Sequence, residues 1–429
     1  MLSTYLRKFT LVLGNLRLAI ILLLLIALVS STGTIIEQDQ TQGFYQTNYP
    51  EAAPLFGFVT YKLIFALGLD HVYRTEWFLG TLVLFGVSLI SCTFTRQLPS
   101  LKMARLWQFY TTERRIQSLN IFRPFQNLSL SRFAFLLEDQ NYNVIRQGSF
   151  IYAYKGLIGK LGPIIVHLSI IVVLLGAILG SLFGFRDQFL IKSGEGFALQ
   201  SKPFLSQQVI EGNVDNFKIA YNEEGEVDQF YSKLKLKPKN SNSIVEKLIY
   251  VNEPFHYQDL TIYQTDWSIA SVDLLVDESK LINLPLRSIM NGETGGEKKF
   301  WIGSIPGSDQ ESLLLIFQDL TGRALLYNSQ KQLLASLEIG DVIPLNGHSL
   351  RFLNIGPSTG LQVKSDPGIP VVYIGFLFLM FSIVLSYTSY SQVWGVKIQN
   401  TVYVGGQTNR ATYQFEQQLN SFRIEEKKN

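Results

Sequence analysis

The sequence predicts an α+β membrane protein with four transmembrane helices and a large, mostly β extramembrane domain between the third and fourth spans. Four windows are nearly free of charge and approach the roughly 20 residues that a helix needs to cross a bilayer. Residues 186–369 instead alternate apolar and polar side chains between turn formers, a strand pattern. The composition agrees, since 47% of the 429 residues are hydrophobic and only 17% are charged.

The apolar windows divide the chain into eight regions. These are residues 1–36 (N-terminus and first span), 37–76 (outer loop), 77–95 (second span), 96–160 (basic inner loop), 161–185 (third span), 186–369 (outer domain), 370–390 (fourth span) and 391–429 (inner tail). A cleaved secretory signal is the alternative for the first window, because Arg7, Lys8 and Arg17 precede a short apolar core. The apolar run extends through "TII", which favours a span.

Basic residues predict the orientation. Residues 96–160 hold ten Lys or Arg against three acids, whereas residues 37–76 hold two against five. Because positive loops stay inside, the N-terminus, the middle loop and the tail are expected inside. Residues 186–369 are then outside, with 17 basic and 23 acidic residues, so the net charge of +3 hides an acidic exterior. The lipid bilayer, and not nucleic acid, is the partner that this charge pattern indicates.

Two segments beside the membrane are expected to lie at its surface. The segment that begins "RQLPSLKMARLWQFYTTERRIQSLN" mixes basic and aromatic residues, which favours an interfacial helix. Residues 55–69 carry Lys62 in the middle of an apolar stretch and are expected to be interfacial and not a fifth span. In the outer domain, "FKIAY", "SKLKLKP", "LTIYQTDW" and "SLRFLNI" predict a sandwich or open barrel.

Several kinds of chemistry are excluded. The single cysteine, Cys92, lies in the second span, so thiol–disulfide exchange in the outer domain is ruled out. There is no phosphate-binding glycine loop, G-x-S-x-G, H-E-x-x-H or Cys-x-x-Cys. Asp259 and Asp266 are expected to be solvated surface charges. These absences favour a non-catalytic protein.

Of the four histidines, His71, His256 and His348 lie in loops or turns where a solvated or hydrogen-bonded imidazole is ordinary. His167 lies inside "GPIIVHLSIIVVLLGAILG", six residues after Leu161. A rise of about 1.5 Å per residue places it about 9 Å into the membrane from the inner surface. Either an interhelical hydrogen bond, or a ligand or proton-relay role, accounts for an imidazole there.

A helical wheel separates two faces of the third span. One face gathers small residues, namely Gly162, Ser169, Val173, Gly176, Ala177 and Gly180, and its G-x-x-x-G spacing allows close helix packing. His167 is on the other face, with Ile171, Leu174 and Ile178. An imidazole framed by aliphatic side chains suits a flat apolar cofactor such as haem, which is a hypothesis at this point.

Several stretches, taken in order, carry a resemblance to a known family. They are "LRLAIILLLLIALVSSTGTIIEQ", "LISCTFTRQLP", "LGPIIVHLSIIVVLLGAILGSLFGF", "IYVNEPFHYQDLTIYQTDW", "DPGIPVVYIGFLFLMFSIVLSYTSYSQVWG" and "VYVGGQTNR". Together they resemble the ResB/CcsB family of system II cytochrome c biogenesis proteins, most nearly its cyanobacterial and plastid branch. The resemblance covers nearly the whole chain.

The resemblance implies a thylakoid membrane subunit that moves haem across the membrane with CcsA and assists its attachment to apocytochrome c on the lumenal or periplasmic side. It implies that His167 is an axial ligand to the iron of haem b in transit. It also implies that Asp366, in "SDPG" before the last span, supports the site, although Asp-Pro-Gly is equally an ordinary turn.

The resemblance also bears on the partner. His167 is the only histidine in the four windows, so a second imidazole ligand must come from another chain. CcsA is the expected donor, and a two-fold dimer of this chain is the alternative. The five tryptophans are scattered, so the tryptophan-rich site that presents haem on the outer face is expected in CcsA.

Two further functions remain open on the sequence alone. One is a membrane-anchored sensor whose outer β domain binds a ligand, although the 39 residues after Tyr390 are too short for a kinase. The other is a scaffold without a cofactor. Haem absorbance of the purified protein separates haem delivery from both.

Overall fold

The computed structural model describes residues 2–126, 128–201, 208–223, 227–238, 243–291, 298–306, 312–345 and 348–426. The chain forms two compact units. The membrane unit comprises Met1–Leu182 and Gly368–Asn429, and the β unit comprises Phe183–Pro367. In the sequence, the β unit is thus an insertion between the third and fourth spans.

Most of the membrane unit is helical. Its helices are α1 (Leu2–Leu13), α2 (Leu16–Ile35), α3 (Gln42–Asn48), α4 (Tyr61–Leu67), α5 (Glu76–Cys92), α6 (Leu98–Ala104), α7 (Glu113–Gln117), α8 (Leu130–Asp139), α9 (Gly162–Phe183), α10 (Ile369–Ser386) and α11 (Thr412–Glu426). Short 3₁₀ turns cover Leu69–Arg74 and Leu157–Lys160, and a π-helical turn covers Thr93–Gln97.

In the part of the chain that the structure describes, four helices are long and apolar enough to cross a membrane. They are Leu16–Ile35, Glu76–Ala104, Leu157–Phe183 and Ile369–Ser386. Together with the strand-rich β unit, they confirm the predicted fold class. Residues 55–69 contain the seven-residue helix α4, which is too short to be a fifth span.

Local sequence sets the ends of the first and fourth spans. Asn15 separates α1 from α2, and its side-chain oxygen accepts a hydrogen bond from the backbone N–H of Arg17 at 3.0 Å. This is the usual way to satisfy a free N–H at a helix start. Pro370 occupies the first turn of α10, where the missing proline N–H costs no helical hydrogen bond.

The first three spans pack through large apolar side chains. Leu22 of α2 and Leu89 of α5 form a buried cluster against which Leu174 of α9 packs. The hydroxyl of Ser88 donates to the carbonyl of Leu13 at 2.7 Å and ties α5 to the end of α1. Aliphatic packing of this kind fixes which face of the third span meets the second.

The third and fourth spans approach closely through small residues. A Cβ added at Gly176 would lie 2.7 Å from Cγ2 of Val372, and one added at Gly375 would lie 2.6 Å from Cγ2 of Val173. Both distances are shorter than carbon atoms tolerate, so only glycine allows this approach. The small-residue face of the third span therefore packs against the fourth span.

Within the described residues, the strands fall into four antiparallel sheets. The strands are β1 (Ile121–Gln126), β2 (Asn143–Gln147), β3 (Phe150–Lys155), β4 (Phe185–Lys192), β5 (Gly196–Ser201), β6 (Gln208–Tyr221), β7 (Val227–Pro238), β8 (Val245–Tyr250), β9 (Phe255–Tyr257), β10 (Leu260–Val276), β11 (Lys280–Pro285), β12 (Arg287–Asn291), β13 (Lys298–Pro306), β14 (Ser312–Phe317), β15 (Ala324–Tyr327), β16 (Leu333–Leu337), β17 (Val342–Leu345), β18 (His348–Ser365), β19 (Ser391–Ile398) and β20 (Thr401–Thr408).

One sheet belongs to the membrane unit and joins the middle loop to the C-terminal tail. Its strand order is β1-β20-β19-β3-β2, and α8 and α11 contribute to its core. We call residues 105–160 and 387–426 the loop–tail domain. Phe133, Phe415 and Phe422 are buried in that core.

The segment after Arg96 belongs partly to the loop–tail domain, and its expected place at the membrane surface stays a prediction. Only α6 and α7 are helical there; the rings of Tyr110 and Trp394 stack at 4.8 Å, whereas Trp107 is exposed. Trp394 also donates its indole N–H to the carbonyl of Gln108 at 2.8 Å.

The part of the β unit that the structure describes contains three sheets. Their orders are β11-β10-β18-β17 with β4 on β18 and β9 on β10, β12-β13-β14-β15-β16, and β5-β6-β7-β8. The long strands β10 and β18 reach two cores, one around Trp301 and Phe317 and one around Ile210 and Leu234. Register shifts in β10, for example between Gln264 and Asp266, bend it between these cores.

Candidate functional site around His167

The second span changes its winding beside His167. After α5 ends at Cys92, the residues Thr93–Gln97 form a π-helical turn that leads into α6. The hydroxyl of Thr93 donates to the carbonyl of Leu89 at 2.9 Å, a bond four residues back that is typical of bent helices. Single π turns are rare and often occur at functional sites. Here the turn brings Thr93 and Gln97 to the imidazole.

Both ring nitrogens of His167 have partners on this turn. Nδ1 lies 3.0 Å from Oγ1 of Thr93 and 3.3 Å from the carbonyl oxygen of Leu89. Nε2 lies 3.1 Å from the side-chain amide nitrogen of Gln97. The half-buried imidazole therefore joins the third span to the second, as an interhelical hydrogen bond requires.

These partners assign the protons of the ring. A carbonyl oxygen only accepts and an amide nitrogen only donates. The Leu89 carbonyl thus requires a proton on Nδ1, and the Gln97 amide requires a lone pair on Nε2. In this orientation of the Gln97 amide, the neutral tautomer with N–H at Nδ1 satisfies both partners. A backbone acceptor on one nitrogen is also how proteins orient the other nitrogen toward a metal.

Beyond these polar partners, the His167 face of the third span is apolar. Ile171 and Leu174, which the wheel placed on this face, pack against the cluster of Leu22, Phe85 and Leu89. The first and second spans therefore cover this face beyond the ring.

The other three histidines have ordinary polar partners. His71 Nδ1 is 2.9 Å from a carboxylate oxygen of Asp70. His256 Nδ1 is 3.2 Å from the Thr261 hydroxyl. His348 Nδ1 is 2.5 Å from a carboxylate oxygen of Asp277 in the β unit.

Three acidic residues complete the predicted set. Asp266 is exposed and ion-paired with Lys299 at 3.3 Å, whereas Asp259 accepts a hydrogen bond from Ser365 at 3.2 Å. Asp366 is half-buried at the end of the β unit, directly before the turn that leads into α10. Its support of a haem site stays a prediction.

Sequence reasoning missed Thr93 and Gln97. Both lie in "LISCTFTRQLP", and their signal was a pair of polar side chains four residues apart at the end of an apolar span. In a regular α-helix this spacing puts two side chains on one face, but it does not indicate which residue they contact. The π turn and the third-span partner are tertiary features, so the pattern alone did not connect them to His167.

Four spans, a β unit inserted before the last span and an imidazole held between two spans define a class: a polytopic membrane protein with an intramembrane histidine site. Within that class, the chain belongs to the ResB-like family, which it matches over residues 16–281 and 310–420.

Individual relatives align over almost the whole chain. It is 52% identical to the cytochrome c biogenesis protein Ccs1 of Rhodomonas salina, with 97% of this chain and 96% of the relative covered. It is 44% identical to the cytochrome c biogenesis protein CcsB of Microcystis aeruginosa, with 96% and 94% covered. For Ccs1 of Guillardia theta the identity is 45%, with 97% and 98% covered.

Proposed function

We propose that this chain is a subunit of a cytochrome c biogenesis complex, in which it moves haem across the membrane with CcsA and assists haem attachment to apocytochrome c. The names of its relatives support the biogenesis role. Haem b is the transported substrate and leaves with the product, so the subunit itself is an accessory without a catalytic residue.

The observation that carries the proposal is the state of His167. Its Nε2 lies in a candidate membrane span 3.1 Å from the Gln97 amide nitrogen, and it carries a lone pair when Nδ1 donates to the Leu89 carbonyl. A neutral imidazole that can turn a lone pair toward a metal is the form that ligates haem iron.

The second axial ligand comes from CcsA. His167 is the only histidine within the four spans, so one copy of the chain supplies one imidazole. A two-fold dimer is the alternative donor, and the stoichiometry of the purified complex distinguishes the two.

Sidedness follows from charge. The excess of basic residues in 96–160 favours the inner side for the loop–tail domain, and the β unit then lies in the lumen or periplasm. His167 lies near the start of α9, in the inner third of the membrane. Haem is thus captured from the inner side before it reaches the outer face of a thylakoid membrane.

The test is the absorbance spectrum of the complex of this chain with CcsA. His167→Ala is expected to lower the haem content of the complex and stop cytochrome c maturation, whereas His256→Ala and His348→Ala leave both unchanged. Normal haem content and normal maturation in the His167→Ala complex would refute the proposal.

A further inference from the structure

We infer that Gln97 is a displaceable cap on the iron-binding nitrogen of His167, so that the haem site is closed when empty and opens when the Gln97 side chain turns aside. This inference rests on the proposed function, since it regulates the same site. It starts from the 3.1 Å separation between the Gln97 amide nitrogen and His167 Nε2.

The orientation of the Gln97 amide follows from the rest of the network. If its oxygen faced Nε2, that nitrogen would need a proton, and Nδ1 would then turn a lone pair toward the Leu89 carbonyl at 3.3 Å. The Thr93 hydroxyl, 3.0 Å from Nδ1, could serve that nitrogen as a donor in this case. We assign the amide nitrogen to the ring because Nδ1 can then donate to the Leu89 carbonyl. In this orientation the amide oxygen lies 3.3 Å from the Thr93 hydroxyl, on the same turn.

The cap and the iron exclude each other. Nε2 has one lone pair, which either accepts the amide N–H of Gln97 or binds iron. The contacts at Nδ1 from Thr93 and Leu89 do not involve that lone pair, and they stay in place when iron binds. Gln97 is therefore the residue that has to move, and Leu89 and Thr93 are the residues that keep the ring oriented.

Gln97 is placed so that it can move. It is half-buried at the last residue of the π turn, where the second span continues into α6. Rotation of its side-chain torsions uncovers Nε2 without any change in the backbone. Haem binding has to break the hydrogen bond between Gln97 and His167, so we expect the cap to lower haem affinity about threefold to tenfold.

Two substitutions of similar size predict opposite results. Gln97→Leu removes the donor, so haem b titrated into the haem-depleted complex with CcsA should bind about threefold to tenfold more tightly. Gln97→Glu replaces the donor by an acceptor, which draws a proton onto Nε2 and removes the lone pair, so haem should bind more weakly than in the unsubstituted complex. If the Gln97→Leu protein does not insert into the membrane, the same titration is made with Gln97→Ala, which also lacks the donor.

Matched controls separate the cap from general effects. Gln108→Glu adds the same charge at an exposed position away from the ring, and Thr95→Val removes a hydroxyl of the same turn that bonds to Ser91 instead. Both should leave haem affinity unchanged. Affinity that falls equally in Gln97→Glu and Gln108→Glu would overturn the cap, because charge alone would then explain the loss.

A measurement without haem tests the cap directly. Nitrogen-15 NMR of the imidazoles, with His167 assigned by its loss in His167→Ala, should show the proton of His167 on Nδ1 in the unsubstituted protein. In Gln97→Glu the Nε2 signal should become that of a protonated nitrogen. A proton on Nε2 of the unsubstituted protein would overturn the inference.

The two proposals fail in different ways. If His167→Ala abolishes haem binding but Gln97→Leu does not strengthen it, the cap is wrong and haem ligation by His167 stands. If His167→Ala retains full haem binding, both are wrong.

Discussion

Gln392 donates a hydrogen bond from Nε2 to the phenolic oxygen of Tyr152 at 2.8 Å, although 240 residues separate the two in the sequence. The bond lies between two adjacent antiparallel strands, β3 and β19, which pair Gln392 with Tyr154 and Val393 with Ala153. Strands of one sheet lie on one side of a membrane, so the chain between them crosses an even number of times. The third and fourth spans supply two crossings.

The first prediction concerns this topology. In a Cys92→Ser background, cysteines placed at the exposed positions Gln147 and Tyr413 should react together with a membrane-impermeant maleimide from the inner side. A cysteine at Lys280 in the β unit should react only from the outer side, because from the basic excess of 96–160 we expect the loop–tail domain inside. Labelling of Gln147→Cys and Tyr413→Cys from opposite sides would contradict the four-span arrangement.

The second prediction concerns the core of the loop–tail domain. Phe133 is fully buried and meets the ring of Phe422 edge-on at 5.9 Å. Phe133→Ala should destabilise this domain by about 3–5 kcal/mol, through lost burial and the cavity left behind. In limited proteolysis after brief heating, the tail of this variant should be cleaved earlier than the tail of the unsubstituted protein. Phe135→Ala, on the exposed face of the same helix, should cleave like the unsubstituted protein.

The third prediction is a pH dependence. Burial raises the pKa of Tyr142 to about 12 from an ordinary value near 10. The unfolded chain therefore loses this proton first, so the contribution of Tyr142 to stability is present below about pH 10 and is lost as the pH rises through about 12. In Tyr142→Phe, the stability of the loop–tail domain should therefore fall less steeply as the pH rises. Unfolding is followed by Trp394 fluorescence. Tyr413→Phe, at an exposed ring, should not change the slope.

Much of this architecture could be predicted from local pattern, because each span and each alternating strand is specified by its own side chains. The small-residue face of α9 could also be predicted from the sequence, since it depends on one helix alone. The loop–tail sheet could not be predicted, because β3 and β19 are far apart in sequence and each looks like a short apolar run. The partners of His167 were hidden for a similar reason: Thr93 and Gln97 face it only through a π turn.

The fourth prediction concerns packing of the third and fourth spans. Gly176→Ala should destabilise their contact by about 1–3 kcal/mol, because the new methyl group would overlap Val372. Thermal aggregation of the protein in detergent should then begin at a lower temperature. Gly80→Ala is the matched control, since a Cβ there meets no atom within 4 Å. Equal behaviour of the two variants would show that the glycine contact does not contribute to stability.

The last prediction uses imidazole as a replacement for the side chain of His167. In the His167→Gly complex with CcsA, added imidazole should enter the space left by the ring and restore part of the haem absorbance, because it offers one lone pair to iron and one N–H to the Leu89 carbonyl. In the unsubstituted protein that N–H comes from Nδ1 at 3.3 Å.

N-methylimidazole is the informative comparison. It has the same kind of lone pair for iron but no N–H, so it binds iron without the hydrogen bond to Leu89. We therefore expect it to rescue His167→Gly about threefold to tenfold less well than imidazole at equal concentration, the effect of one hydrogen bond. Equal rescue by both compounds would show that the Leu89 carbonyl contributes nothing to the bound state. Failure of both compounds, in a complex that has lost its haem, would mean that the ring acts through the position of the second span and not through iron.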